Sequence, residues 1–301
     1  LKKQSFQPEL ITTRLEHAAI LKTADWLEEK GTPVHYVDFD KTTGQIDINH
    51  LKSLINNHTR LISIQHVNSE TGVIQDLKTI ASKAKKMNSN ILMHSDGVQA
   101  FTKIPINLHE MGIDLYSISS HKIRGIKGTG ALIFSSKQEP VIQIHGGGQE
   151  HGFRSGTENV PGIAALGLAA KISHENMSED YKKVKIFKEQ FIGNLIQEFP
   201  DARVYQSKNA LPHILSISFP GILGEVILNH LAMHEIYVST GSACNASSKK
   251  LSATLQAIGF SSNQIKETIR ISMNAHEIPA DFKAFFSKFK SSIHELEKIF
   301  I

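Results

Sequence analysis

Along the first half of the chain, short apolar or β-branched runs alternate with longer stretches whose apolar residues recur at helical spacing. PVHYVDF from Pro33, RLISIQHV from Arg60, ILMHSD from Ile91, DLYSIS from Asp114 and GALIFSS from Gly130 read as strands. Between them, HAAILKTADWLEEKG puts Ala18, Leu21, Ala24 and Leu27 on one helical face, and DLKTIASKAKKM follows a capping Asp76. Strand, helix, strand at this rhythm predicts βαβ units. The expected fold class is α/β, a mainly parallel sheet with helices on both faces.

The second half has another texture. Residues 162 to 199 read as two long helices around the polar stretch SHENMSED, followed by strand candidates RVYQS and HILSISF. The helix GEVILNHLAMHE, a strand ending at Val238, the short strand in ETIRISMN and a Lys-rich amphipathic helix from Pro279 complete an α+β tail. The expectation is a large domain over 1–170 and a smaller C-terminal α+β domain over 171–301, the boundary falling between 160 and 185.

The 301 residues are 40% apolar and 21% charged, which excludes collagen-like, mucin-like and wholly disordered chains. Lys and Arg exceed Asp and Glu only by 33 to 29, and they are scattered, so no nucleic-acid partner is expected. The longest apolar stretch, Val160 to Ala170, is interrupted by Pro161, Gly162 and Gly167 and is shorter than the roughly 20 residues a bilayer requires, so no membrane partner is expected. A single cysteine, Cys244, makes no internal disulfide, which points to a cytoplasmic location, or the mitochondrial matrix in a eukaryote.

Ligands of parallel sheets sit beyond the carboxyl ends of the strands, so polar residues directly after apolar runs are the informative ones. Asn68 and Glu70 follow one run, Asp96 and Gln99 a second, and Ser119, His121 and Lys122 a third. Singly, Asp96 reads as a helix cap and Lys122 as a surface lysine; together they suit an anionic, ring-bearing ligand. Pyridoxal phosphate requires such a set: a lysine for a Schiff base, an acid for the pyridine nitrogen, and hydroxyl and imidazole donors for the phosphate. HGGGQEHGFRSGT, residues 145–157, is rich enough in glycine for backbone angles closed to other residues, or it is a plain surface turn. His145 and His151 lack a cysteine or carboxylate pair to complete a ligand set, so no metal is expected. Cys244, among Gly, Ser, Ala and Asn, reads as a loop thiol rather than a packed one, and Arg270 as a grip for a carboxylate or a surface ion pair.

In this order, the segments ITTRLEHAAIL, HVNSETGVIQD, HSDGVQA, SSHKIRGIKGTGAL, HGGGQEHGFRSGT and STGSACNAS resemble the cysteine desulfurases of the NifS/IscS type, from about Ile11 to Asn274. That resemblance implies the fold-type I architecture of pyridoxal-phosphate-dependent transferases. It implies that Lys122 carries the cofactor, that Asp96 pairs with its pyridinium nitrogen, and that Asn68 and Gln99 approach its ring hydroxyl. His17 would stack on the ring and move protons, Ser119 and His121 would bind the phosphate, and Thr157 would reach the phosphate of the other subunit of a homodimer. Arg270 would hold the carboxylate of L-cysteine, Asn68 also facing substrate, and Cys244 would receive the sulfur. Alanine would leave, and the persulfide would pass to an acceptor protein for iron–sulfur clusters or tRNA thiolation.

Departures from the family pattern include Ser120 for a usual Gly, Arg124 and Ile126 for Tyr and Pro, and Thr240 for Ser. The 301 residues also contain no Gly-[Ala/Thr]-Thr-Glu-Ser-Asn phosphate loop, which relatives carry in a segment before the region matched here. The expectation from this is weak cofactor binding and little turnover by these residues alone. Alternative readings are a catalytically impaired homologue acting as partner or scaffold, and a selenocysteine lyase of the same fold.

Overall fold

The computed structural model describes residues 7–135, 140–205, 207–241 and 251–300. Strands β1 (Glu9–Thr13), β2 (Val34–Val37), β3 (Thr59–Ser63), β4 (Leu92–Asp96), β5 (Leu115–Ser119) and β6 (Gly130–Phe134) form one sheet in the order β2-β1-β3-β4-β5-β6. The first five are parallel, and β6 runs antiparallel to β5. Helices α1 (Ala18–Glu29), α2 (Ile48–Leu54), α3 (Leu77–Met87) and α4 (Leu108–Met111) occupy the crossovers.

Local rules place α3 well. Asp76 caps it by accepting from the Thr79 amide at 3.0 Å and the Thr79 hydroxyl at 2.7 Å. Leu77, Ile80, Ala81 and Ala84 then fall on one buried face, against a core that includes Ile62, Met93 and Tyr116. Burying each large apolar side chain there contributes about 1.5–3 kcal/mol. The face expected of α1 is only half covered: Ala24 alone is fully buried, and Trp26 is exposed. That helix lies against β2, which is the edge strand of the sheet among the described residues.

The sequence pattern did not announce β1. Its Thr12 and Thr13 read as polar, yet both are buried, and the Thr12 hydroxyl donates to the Ser63 carbonyl at 3.0 Å across to β3. Pairing on both sides makes a strand of a segment whose own composition is neutral.

A second sheet, β7 (Arg203–Tyr205), β8 (Ile214–Ser218), β9 (Ser239–Thr240) and β10 (Thr268–Ser272), has the order β7-β8-β10-β9, all antiparallel. It packs with α5 (Val160–Glu198), α6 (Gly224–Met233) and α9 (Phe282–Phe300) around a core rich in phenylalanine, where Phe191 and Phe289 meet edge to face at 5.2 Å. Two short helices, α7 (Ala253–Ala257) and α8 (Ser262–Lys266), precede β10.

Two expectations are corrected. The region expected to hold two helices over 162–199 forms one helix of 39 residues, Val160–Glu198. SHENMSED holds no Gly or Pro to break it, and its Asn176 side chain turns back onto the Ile172 carbonyl within the same helix. The strand expected to end at Val238 instead begins at Ser239: Ile236 and Val238 pack on the core, but pairing with β10 starts only where Ser239 meets Arg270. Among the described residues, no helix is long and apolar enough to cross a membrane.

Candidate active site

Because β1, β3, β4 and β5 are parallel neighbours, their carboxyl ends deliver four loops to one edge of the sheet. Asp96 is the last residue of β4, and its carboxylate accepts from the Val98 amide at 2.9 Å. The chain then turns directly over the Tyr116 ring. A Cβ on Gly97 would lie 2.0 Å from two ring atoms, so only glycine fits. Tyr116 is itself fixed, fully buried, with its hydroxyl 2.8 Å from Nδ1 of the buried His66. Burial pushes the His66 imidazole down to about 4.

One strand over, β5 ends at Ser119 and the chain enters the 3-10 turn Ser120–Ile123, which exposes Lys122. The Ser119 hydroxyl and His121 Nδ1 lie 2.9 Å apart, which presents a hydroxyl–imidazole pair beside the amine. The imidazole is held below its usual range by partial burial and by the charges of Lys122 and Lys127.

Gln99, His121, Lys122 and Arg270 line one cavity of about 340 Å³ between the two sheets. Arg270, on β10, donates from Nη1 to the Ser69 carbonyl at 3.3 Å, which fixes the guanidinium on the wall opposite the turn. Asp96, Asn68, His17, Ser119 and Thr157 do not line this cavity. His17 caps α1, its Nδ1 accepting from the Ala19 amide at 3.2 Å, so the neutral ring carries its proton on Nε2. Asn68 is buried and stitches its own loop: Oδ1 accepts from the amides of Glu70 and Thr71 and from the Thr71 hydroxyl, and Nδ2 donates to the Leu15 carbonyl. Thr157 is exposed, and Cys244 lies outside the described residues.

Several groups escaped the sequence pattern. Lys103 lines the cavity, donates to the Gln99 carbonyl at 3.1 Å, and is pushed down to about 8 by burial and by the Lys122 charge. His213 is on the same wall, lowered to about 4 by burial and by Lys103 and Lys188, and its buried Nδ1 has no partner among the described residues. Glu16, next to His17, accepts from the Gln65 amide at 2.6 Å; burial and the nearby Asp96 raise its carboxyl well above the usual range. Glu70, by contrast, was singled out with Asn68 in the sequence; it takes a 2.5 Å hydrogen bond from Ser252, and burial raises it while Ser252 and Arg270 act the other way.

An amine, an imidazole and a guanidinium lining a cavity of this size, with the Asp96 carboxylate and the Ser119 hydroxyl at the ends of the adjoining strands outside its lining, suit pyridoxal phosphate and an amino-acid substrate, and the unpartnered His213 Nδ1 leaves a polar wall atom for a ligand to satisfy. Fold and site together define a fold-type I pyridoxal-phosphate-dependent enzyme.

The sequence profile described as Aminotransferase class-V matches residues 2–285. Cysteine desulfurase IscS of Clostridium botulinum is 38% identical over 275 residues, covering 90% of this chain and 68% of that protein. A solved structure titled NIFS-like protein superposes with a TM-score of 0.88 at 34% identity, over 96% of this chain and 75% of that one. Another, SspA in complex with cysteine, gives 0.75 at 33% identity, over 89% of this chain and 74% of that one. The chain belongs to the class-V aminotransferase family, among the cysteine desulfurases of the NifS/IscS type. Its cofactor is pyridoxal 5′-phosphate.

Proposed function

We propose that this protein removes sulfur from L-cysteine, releasing L-alanine and leaving a persulfide on Cys244 for an acceptor protein of iron–sulfur assembly or tRNA thiolation. The observation that carries this reading is the pair Lys122 and Arg270, delivered by two different sheets to one cavity. Lys122 would anchor the cofactor, Asp96 would serve its ring nitrogen, Gln99 its hydroxyl, and Ser119 and His121 its phosphate. When bound, pyridoxal phosphate supplies an electron sink that makes the substrate Cα proton acidic and its Cβ–S bond labile.

Arg270 clamps the substrate carboxylate through two parallel N–H donors. The Lys122 amine would take the Cα proton, and His17, which lies outside the cavity lining, is assigned a share in proton transfer by the family resemblance alone. The Cys244 thiolate then attacks the substrate sulfur. An S–S bond forms as the Cβ–S bond breaks, the electron pair stays with carbon, and carbon takes up a proton to become the methyl of alanine.

Apolar side chains exposed along β6 and the first half of α5, among them Leu132, Ile133, Val160, Ile163 and Leu168, support the homodimer reading, with exposed Thr157 reaching the second copy. The two sheets with their separate cores support two domains over 1–170 and 171–301. The lone thiol supports a reducing compartment, the cytoplasm or a mitochondrial matrix.

Absorbance of the bound cofactor, together with alanine and sulfide release from L-cysteine, tests the proposal. Lys122→Ala abolishes the borohydride-trapped cofactor and leaves the fold intact, whereas Cys244→Ser keeps cofactor absorbance and stops sulfide release. Trapping on another lysine such as Lys127, or undiminished sulfide release in Cys244→Ser, overturns it.

A further inference from the structure

On the far side of the second core, α6 and α9 bring three side chains together that the cysteine chemistry does not use. His230 and His234 are one helical turn apart on α6, and Glu295 projects from α9. One ligand atom from each lies within 4.8 Å of the other two. His230 Nε2 is 3.1 Å from a Glu295 carboxylate oxygen, and the two imidazoles stand 5.2 Å apart, centre to centre, at 74°. Two ligands on a tetrahedral zinc ion, each about 2.0–2.2 Å from the metal, are separated by about 3.3 Å, so the His230–Glu295 spacing already suits a shared ion.

We propose that His230, His234 and Glu295 bind a divalent zinc-class ion, with water in the fourth position, and so clamp α6 to α9. Two imidazoles and one carboxylate form a nitrogen-rich set that suits Zn²⁺ and discriminates against Mg²⁺ and Ca²⁺, which take oxygen ligands. The site is held in place before the metal arrives: Ile227 and Leu231 of α6, and Ile293 and Leu296 of α9, are buried in one core on either side of the ligands. It also lies at the carbonyl end of α6, where His234 is the cap residue and the helix dipole favours a cation. The nearby acid Glu235 is engaged by Lys288 at 3.6 Å and does not belong to the set.

The sequence signal was the His-x-x-x-His spacing in NHLAMHE, which puts both imidazoles on one helix face, but the third ligand is 61 positions from the second and becomes visible only in the fold.

Isothermal titration of Zn²⁺ into the cofactor-loaded protein at about pH 7.5 tests the site, in a Cys244→Ser background so that the thiol does not compete. One ion binds per chain with a dissociation constant on the order of 1–10 µM, and Mg²⁺ gives no heat. His234→Ala weakens zinc binding at least about 30-fold, Glu295→Gln about 10-fold, and Co²⁺ gives the visible absorption of a tetrahedral nitrogen–oxygen site. His234→Asn, checked by circular dichroism, serves if the alanine variant fails to fold. Zinc affinity unchanged in a folded His234 variant, or no binding below about 100 µM, overturns the proposal and leaves His230–Glu295 as an ordinary ion pair.

Discussion

Replacing Gly97 with alanine tests whether the Asp96 turn depends on contact with the Tyr116 ring. The new methyl carbon would sit 2.0 Å from the Tyr116 ring carbons Cε1 and Cζ and 2.4 Å from the hydroxyl oxygen. Ordinary carbon contacts are about 3.5–4.0 Å, so ring or chain must move by roughly 1.5–2 Å. Tyr116 has little room to yield: it is fully buried, tied to His66, and carried by a strand paired on both sides. Overpacking a core costs about 1–3 kcal/mol, and losing the tyrosine–histidine hydrogen bond adds about 0.5–1.5. The expected loss is about 3–4 kcal/mol, read as a fall in the urea midpoint. Cofactor affinity drops at least about tenfold, because Asp96 moves with the turn. Gly193→Ala is the control: it lies exposed in α5 with no heavy atom near its absent Cβ, and gains about 0.5–1 kcal/mol. A Gly97→Ala protein within about 1 kcal/mol of the parent, and binding cofactor as tightly, would refute the argument.

Ser252→Ala removes both the donor to buried Glu70 and the cap of α7, whose Leu255 amide it accepts at 3.0 Å; a loss of about 2–3 kcal/mol is expected in denaturation. Arg270→Lys replaces a two-pronged grip by a point charge, so KM for L-cysteine rises about 10- to 100-fold with kcat little changed; equal falls in both constants contradict a carboxylate clamp. For His66 the folded imidazole titrates near 4 and the unfolded one near 6.5, so the unfolded state binds more protons in that window and stability is lost as pH falls through it. The contribution of His66 shrinks by about 2 kcal/mol between about pH 7 and pH 5. Because raised Glu16 and Glu70 act oppositely, the measurement is the difference in slope between His66→Gln and the parent, the variant being the flatter.

The parallel core was legible because β2 to β5 lie in short apolar or β-branched runs separated by helical stretches, and the strand-end rule then pointed to Asp96, Gln99, Ser119, His121 and Lys122. A parallel sheet puts successive carboxyl ends on the same edge, whatever the loops contain, and of these five Gln99, His121 and Lys122 line the cavity while Asp96 and Ser119 do not. β1 was not legible, since Thr12 and Thr13 become core residues only through pairing on both sides. Lys103 and His213 escaped for a related reason: the second sheet creates their burial, and nothing local distinguishes either from a surface residue. Asn68 was singled out as a polar residue after the run that becomes β3, but sequence could not show that its amide is largely spent on holding its own loop.

The unbroken α5 acts as a gauge block between the two walls of the cavity. Its first half packs on the turn that carries Lys122, its middle presents Ser173, Met177 and Asp180 to the cavity, and its far half buries Val184, Phe187, Phe191 and Leu195 beneath the sheet that carries Arg270. An α-helix advances about 1.5 Å and turns about 100° per residue, so one residue inserted between Asp180 and Val184 would swing the phenylalanine face off its core and carry Arg270 out of line with Lys122. Substrate size is therefore open to change through the side chains that line the cavity. The distance between amine and guanidinium is not, because it is set by the length and phase of the helix.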